Sequence, residues 1–390
     1  MTPAARYAVA IDILDDFLNG EPAEKSLSNW ARKNRYAGSK DRAGVRDIVF
    51  DCLRNLRSFG AQSGIEGGRG IAIGHCLALN IDPADMFSGV GYAPSALCED
   101  EIISIAQSGV STLFEKANLP DWVCEIIKVD WKGDFEQITR SLSNRAPVDL
   151  RVNLAKASID STIDVLARED IIVERVTTVS TALRVVQNPR RVAGSTAFAQ
   201  GFVELQDSAS QAVIGLLGIQ AGMRVLDYCA GGGGKTLAMA GSAQGANFDA
   251  WDISQARLAP LEDRARRAGV KVRLLDTPPM PAVYDLVLVD APCSGSGSWR
   301  RNPDGKWRLT QERLLELQTL QAEVLRAASK NVKAGGTLAY ATCSIFKREN
   351  GQQVEAFLAQ SPDFSLIKDQ EFYIGEPSDG FYCAILEKQL

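Results

Sequence analysis

Two cysteines sit in closely similar settings. Asp290-Ala-Pro-Cys293-Ser-Gly follows the apolar run 284–289, and Ala341-Thr-Cys343-Ser follows the apolar run 337–340. Each thiol therefore lies just past the end of a predicted strand, where open α/β sheets place their ligands. A thiolate adds readily to an electron-poor carbon and can later be expelled, so a thiol at a strand end is a candidate covalent nucleophile. A lone buried cysteine is more often a small apolar core residue, and Cys52, Cys76, Cys98, Cys124 and Cys383 are read in that way. For Cys293 and Cys343 the small, flexible neighbours favour chemistry, although spacing does not say which of them attacks.

A third strand end lies upstream, in Val225-Leu226-Asp227-Tyr-Cys229-Ala230-Gly231-Gly232-Gly233-Gly234-Lys235-Thr236. A glycine run between strand and helix lets backbone approach a ligand and leaves the helix N–H groups free to meet it. A phosphate-binding P-loop would require glycine where Cys229 stands, and that reading fails. A dinucleotide site stays arithmetically open, because Asp252 follows roughly twenty residues on, at the end of a second strand, where a carboxylate can accept ribose hydroxyls. The same geometry suits S-adenosylmethionine, and two downstream thiols, which hydride transfer does not need, favour the latter. Asp276, after the third strand, is placed for an adenine edge or for a turn before Pro278. Asp227 is placed for the cationic end of a cofactor or for holding the loop. Thiols beside a methyl-donor site suit one reaction in particular. Carbon 5 of cytosine is a poor nucleophile until a thiolate adds to carbon 6 and turns the ring into an enamine. Asp290 stands at the right strand end to hydrogen-bond the far side of that ring.

The elements that must position these groups alternate from residue 223 onward. Strands are predicted at 224–228, 247–251, 270–275, 284–289 and 337–341, with helices over 235–240, 255–268, 311–330 and 350–360, a pattern that argues a parallel, doubly wound sheet. The first third instead shows apolar residues at helical spacing. Ala8, Ile11, Leu14 and Leu18 form one stripe, and Val45, Ile48, Val49, Cys52, Leu53 and Leu56 form another. Further helices are expected near 71–79, 100–106 and 121–129. Between these regions, residues 148–153, 171–175 and 183–186 read as strands and 158–169 as a helix, a small mixed α/β module. The expected division is 1–140 helical, 145–205 small α/β module and 206–390 catalytic.

At 390 residues the chain has room for two or three domains, and 45% hydrophobic with 23% charged residues is an ordinary globular balance. A net charge of -5 argues against a surface coated in positive charge. Nucleic-acid binding would have to rely on local patches. Arg300, Arg301, Lys306, Trp307 and Arg308 interleave cations with an aromatic and form one such candidate; Arg151 and Asn153 are further RNA contacts to be tested. The arginines Arg42, Arg46, Arg54 and Arg57 read as a solvated helix face, with contact to RNA phosphate as the alternative. No apolar run nears the ~20 residues of a membrane span, and no signal peptide is visible, so a cytoplasmic location is expected. The eight cysteines form no C-x-x-C pair and His75 is the sole histidine, so no metal site is expected, and serine–histidine catalysis is disfavoured.

The stretches Leu-Asp-Tyr-Cys-Ala-Gly-Gly-Gly-Gly-Lys-Thr, Asp-Ala-Pro-Cys-Ser-Gly-Ser-Gly, Arg-Arg-Asn-Pro-Asp-Gly-Lys-Trp and Tyr-Ala-Thr-Cys-Ser, in this order, resemble the Nol/Nop/Sun family of RNA cytosine-C5 methyltransferases. Its bacterial RsmB-like branch, which modifies small-subunit (16S) ribosomal RNA, is the nearest likeness. The resemblance runs from Gln206 to the C-terminus, with a weaker one between 41–56 and that branch's NusB-like helical domain. It implies a Rossmann-like class I methyltransferase domain preceded by an all-α NusB-like domain and a small α/β RNA-binding module. It also implies S-adenosylmethionine as cofactor, held by Cys229, Ala230, Gly231, Gly232, Gly233, Gly234, Lys235, Asp252, Asp276 and Asp290, with Arg257 in support. Cys343 becomes the nucleophile and Cys293 the residue that helps release product. The substrate becomes a flipped or single-stranded cytosine. Two features depart from the family. Gly231-Gly232 replaces a usual Ala-Pro, which is expected to loosen the cofactor loop, and the segment 276–284 is short. The alternatives are a non-catalytic RNA-binding or ribosome-assembly factor, or a methyltransferase acting on transfer RNA.

Overall fold

The computed structural model describes residues 1–375 and 378–390, and its internal contacts divide the chain into two units. The first comprises Met1–Arg145 together with Trp299–Arg308. It is built of helices, among them Pro3–Leu18, Ala23–Lys33, Ser39–Arg54, Leu56–Ser63 and Gly67–Ala78. Thr2 caps the first, its hydroxyl accepting from the Ala5 amide at 3.2 Å, with Pro3 in the first turn where no amide is needed. The second stripe read from the sequence turns inward, with Val45, Val49, Cys52 and Leu53 buried in one cluster. Of the first stripe only Leu14 is buried and Leu18 is exposed, and Ala10, Ile13 and Phe17 of that helix face the core instead. The helix Gly67–Ala78 lies against its neighbours so closely that a Cβ on Gly74 would come within 2.0 Å of the Phe59 carbonyl oxygen. His75, on the same helix, is buried and bonded through Nδ1 to the Tyr7 hydroxyl at 2.8 Å. Burial lowers its pKa, and it serves as a packed core residue. Among the cysteines expected in cores, Cys98 is the exception: it is exposed at the start of the helix Glu99–Gln107.

The second unit, Ala146–Ser298 with Leu309–Leu390, holds two sheets. The strands β1 (Val148–Val152), β2 (Ile172–Arg175), β3 (Ala182–Gln187) and β4 (Val203–Leu205) pair antiparallel in the order β2-β3-β1-β4. The helix Ile159–Ala167 contributes Leu166 to their core. The larger sheet contains β5 (Arg224–Asp227), β6 (Asn247–Ala250), β7 (Arg273–Leu274), β8 (Tyr284–Asp290), β9 (Val332–Thr342), β10 (Phe364–Phe372) and β11 (Phe381–Lys388). Their order is β10-β11-β9-β8-β5-β6-β7.

The five strands β5 to β9 pair parallel, as their alternation with helices predicts. Apolar layers cover both faces of this sheet: Ala209, Val213 and Ala238 on one, Leu325, Val354 and Phe357 on the other. That double burial is why the strands read as unbroken apolar runs. The sheet is nonetheless mixed, because β11 pairs antiparallel with both β9 and β10. A parallel return needs a crossover of a dozen or more residues, and the link between β10 and β11 is too short for one. The helix expected over 255–268 is likewise two pieces, Gln255–Leu258 and Pro260–Ala268, since a proline ring cannot continue a helical ladder through residue 260.

Candidate active site

The chain runs from β5 outward to β6 and β7 on one side, then returns to β8 and β9 on the other. The strand order thus reverses at the β5/β8 boundary, and the crevice beyond the carboxyl ends of these strands is the expected ligand site. All the sequence candidates of the catalytic region issue from this edge. Cys229 to Lys235 follow β5, Asp252 follows β6, Asp276 follows β7, Asp290 ends β8 with Cys293 beyond it, and Cys343 follows β9.

The glycine loop is shaped by positive φ angles at Gly231 (48°) and Gly233 (81°). A Cβ on Gly233 would fall 2.1 Å from Leu261 Cδ1, so backbone conformation and packing both demand glycine there. The Gly231 amide donates to Asp252 Oδ2 at 2.9 Å, and Arg264 donates to the Gly232 carbonyl. Gly231-Gly232, expected to loosen the loop, is therefore pinned on both sides. Asp252 is buried, with its other oxygen accepting from the Ser254 amide at 2.9 Å and Arg257 Nη1 3.7 Å from its carboxylate. Cys229 lies in the loop with its thiol pushed well up, first by burial and then by Asp227 and Asp290. Asp276 is exposed.

Asp227 is the informative residue of the loop. Its Oδ2 accepts from Thr236 Oγ1 at 2.6 Å, while Oδ1 is buried with no hydrogen-bond partner. Burial pushes its pKa up to about 7, with Asp290 adding to the effect and Thr236 opposing it. A carboxylate oxygen left without a donor at the floor of a glycine cradle fits a ligand that brings a cationic or N–H group, and S-adenosylmethionine has both. Sequence reasoning left Asp227 between ligand and loop, and Thr236 carried no signal at all.

Beside the cradle, Lys235 Nζ lies 2.8 Å from Asp290 Oδ2 and 5.1 Å from the centre of the Phe381 ring. Burial works against its charge, yet Asp290, with Cys343 and Asp227 adding to it, raises the pKa, so the ammonium persists. The two sulfurs Cys293 Sγ and Cys343 Sγ are 3.4 Å apart, although the residues are fifty positions apart in sequence. They are electrostatically unequal. Cys343 is shifted down, first by a hydrogen bond from Cys293 and further by Lys235, against burial and Asp290. Cys293 is shifted well up by Cys343, burial and Glu349. The pair thus favours a Cys343 thiolate with Cys293 as its thiol donor, an asymmetry that spacing alone could not give.

The sequence candidates for RNA contact do not stay together. Arg151 and Asn153 are buried. Arg151 donates to Gln206 Oε1 at 2.6 Å and the Gly234 carbonyl at 2.9 Å, and Asn153 donates to the carbonyls of Gly201 at 3.2 Å and Ala268 at 2.7 Å. Arg151 ties the four-stranded sheet to the cradle, and Asn153 ties it to the end of the helix Pro260–Ala268, so neither faces solvent. In the cluster 299–308, which folds with the helical unit, Arg300 and Lys306 are buried. Lys306 Nζ donates to the Arg54 carbonyl at 2.7 Å, Trp307 Nε1 to the Leu53 carbonyl at 2.7 Å, and Arg54 Nε to the Arg300 carbonyl at 2.9 Å. Arg54 is accordingly no part of a solvated face. Of the cations of the cluster only Arg301 and Arg308 are exposed. Among the described residues no group of histidine, cysteine and carboxylate side chains is arranged to hold a metal ion, and no helix is long and apolar enough to cross a membrane.

Comparison with solved proteins bears on the fold first. The structure of PH0851 matches the whole chain with a TM-score of 0.78 at 25% identity, covering 99% of that protein. A methyltransferase homologue from Pyrococcus horikoshii matches 70% of this chain and 97% of its own with a TM-score of 0.61 at 22% identity. The class this defines is a Rossmann-like methyltransferase domain preceded by a helical region. Residues 214–384 match the family described as 16S rRNA methyltransferase RsmB/F, and residues 119–192 match the ferredoxin-like domain of RsmF/B-like methyltransferases. Ribosomal RNA small subunit methyltransferase B of Citrobacter koseri is 34% identical over 285 residues, and that of Klebsiella pneumoniae 35%. In each case the match spans 69% of this chain and 66% of the relative. The chain belongs to the RsmB/F methyltransferase family.

Proposed function

We propose that this chain transfers a methyl group from S-adenosylmethionine to carbon 5 of a cytosine in RNA, with small-subunit ribosomal RNA as the substrate, through a covalent bond between Cys343 and the base. The observation that carries the reading is the 3.4 Å approach of two thiols beside the Lys235–Asp290 pair at the strand ends. The family supports the reaction and the substrate class, and the related NSun6 of Pyrococcus horikoshii was solved with SFG, an analogue of the methyl donor.

When bound, S-adenosylmethionine supplies an electrophilic methyl group. Asp227 Oδ1 and the loop 229–234 would hold it, with Asp252 at the ribose. The Cys343 thiolate forms a bond to carbon 6 as ring nitrogen N3 takes a proton from water, and Asp290, fixed by Lys235, accepts a hydrogen bond from the resulting N3–H. The resulting enamine makes carbon 5 nucleophilic enough to take the methyl group. Once the Cys343 sulfur is bonded to carbon its negative charge is gone, and the main cause that holds the Cys293 proton in place is removed. Cys293 then becomes the base that takes the carbon 5 proton. The electron pair re-forms the ring double bond, N3 returns its proton to water and the Cys343 thiolate leaves.

The decisive experiment is incubation of the purified protein with methyl-labelled S-adenosylmethionine and unmodified ribosomal RNA, followed by nucleoside mass spectrometry. Labelled 5-methylcytidine is the expected product. Its absence with ribosomal RNA, assembled subunits and transfer RNA would replace the reading with that of an RNA-binding factor on a methyltransferase fold.

A further inference from the structure

The loops that carry the two thiols meet at a carboxylate that neither the cysteine stretches nor the cofactor loop contains. Glu349 is fully buried. Its Oε1 accepts from the Ser294 amide at 2.8 Å and from Gln321 Nε2 at 2.9 Å. Its Oε2 accepts from the hydroxyls of Ser294 and Ser344, each at 2.5 Å. Ser294 directly follows Cys293, and Ser344 directly follows Cys343. One carboxylate therefore spans both loops, one residue beyond each thiol. Further short-range bonds brace the same junction. Ser296 Oγ lies 2.9 Å from Ser344 Oγ, Gln321 Nε2 also donates to the Pro292 carbonyl at 2.9 Å, and the Gly297 amide donates to the Cys343 carbonyl at 3.0 Å. Asn350 extends the grip by accepting from Thr342 Oγ1 at 2.5 Å and donating to the Ser344 carbonyl at 2.9 Å.

A buried anion is costly unless several donors surround it, and here four donors converge on two oxygens. Two of these donors come from one thiol loop and one from the other, so separating the loops would strip the carboxylate of donors in a site that water does not reach. We infer that Glu349 is a positioning residue that fixes the spacing of the two thiols by binding Ser294 and Ser344 at once, and that product release depends on this tie. The inference rests on the cysteine roles proposed above for its catalytic consequence, though not for its geometry.

The test therefore begins without RNA. In the full chain, diamide should oxidise the Cys293 and Cys343 thiols to a disulfide rapidly, the two electrons and two protons passing to the reagent, with the bond located by peptide mass spectrometry. Glu349→Ala should slow that disulfide by about tenfold or more, as expected for loss of charge-assisted bonds, while leaving S-adenosylmethionine affinity within about twofold. With RNA, the same variant should turn over about tenfold or more slowly and accumulate a denaturation-resistant protein–RNA adduct, because attack survives and release fails. Glu349→Gln keeps the shape, and the serine hydroxyls can rotate to accept from its amide, so it should recover most of the disulfide rate. Should Glu349→Ala fail to fold, the double variant Ser294→Ala with Ser344→Ala removes the hydroxyl ends of the same tie and should show the same pattern. A wild-type disulfide rate in either variant would overturn the inference, as would loss of cofactor affinity in step with the disulfide. If wild-type protein makes no 5-methylcytidine, the functional reading falls while the disulfide comparison still decides the role of Glu349.

Discussion

At the scale of single residues, two thiols that look alike in sequence are distinguished by what surrounds them. The hydrogen bond from Cys293 and, after it, Lys235 favour the anion at Cys343, whereas Cys343, burial and Glu349 all disfavour it at Cys293 and Glu349 opposes an anion at either thiol. Cys293→Ala should therefore leave attack intact and block release, giving an RNA adduct that survives a denaturing gel, whereas Cys343→Ala should give none. The reverse pattern would exchange their roles. Asp227 makes a second prediction, this one about pH. Its pKa rises on folding to about 7 from an ordinary value near 3.8. The folded state thus prefers the protonated form. Its contribution is most favourable below pH 4 and is lost as pH climbs through 7. Asp227→Asn should stabilise the ligand-free protein at pH 8 by about 1–4 kcal/mol, the span allowed by a shift of this size. Urea unfolding should show the difference at pH 8 and show it closing toward pH 5. The same substitution should weaken S-adenosylmethionine binding, since the cationic partner of Oδ1 would meet a neutral amide. A gap of the same size at both pH values would rule out the titration.

At the scale of elements, the cradle depends on the joint between β5 and the helix Gly234–Ser242. Gly233 supplies a left-handed turn at the helix start, and Leu261 from Pro260–Ala268 fills the space a side chain would need. Gly233→Ala should destabilise the protein by about 1–3 kcal/mol, combining backbone strain with overpacking, and should lower cofactor affinity with little change in the helical unit. Thermal unfolding and titration with S-adenosylmethionine would measure both. Unaltered affinity would mean that the loop holds its shape by the Asp252 and Arg264 bonds alone.

At the scale of the whole molecule, a chain of net charge -5 must bind a polyanion through local positive ground. Of the cluster read as an RNA grip, Lys306 and Trp307 are bonded to backbone carbonyls of the helical unit, which leaves Arg301 and Arg308 exposed. Substituting these two arginines by alanine should weaken RNA binding and flatten its salt dependence, by a slope of about 0.7 for each phosphate no longer neutralised, without altering cofactor affinity. Arg151→Ala should do something different. It removes bonds to Gln206 and Gly234 and should lower stability before it touches the salt slope. Equal salt slopes for wild type and the paired arginine variant would move the RNA-binding surface elsewhere.

Much of this was legible in the chain itself. Periodicity separates the helical first third from the alternating catalytic region, because a helix buried on one face and a strand buried on both leave different apolar patterns. The cradle and both thiols are legible for a related reason, since chemistry at an α/β switch point gathers at strand ends and strand ends are local features. What the sequence left open depends on atoms far apart along it. The antiparallel β10–β11 pair follows from a short link, whose effect exists only once β11 has docked on β9. Arg151, Asn153 and Lys306 read as surface cations and amides, and only packing turned them inward to bond carbonyls. The 3.4 Å approach of two sulfurs and the carboxylate of Glu349 across their loops are likewise properties of the folded chain. Residue types and spacing thus determined the fold class and the chemistry on offer. Which groups touch, which are buried and which thiol carries the charge were decided by tertiary structure, because desolvation and short-range bonding act on distances in space and not on distances along the chain.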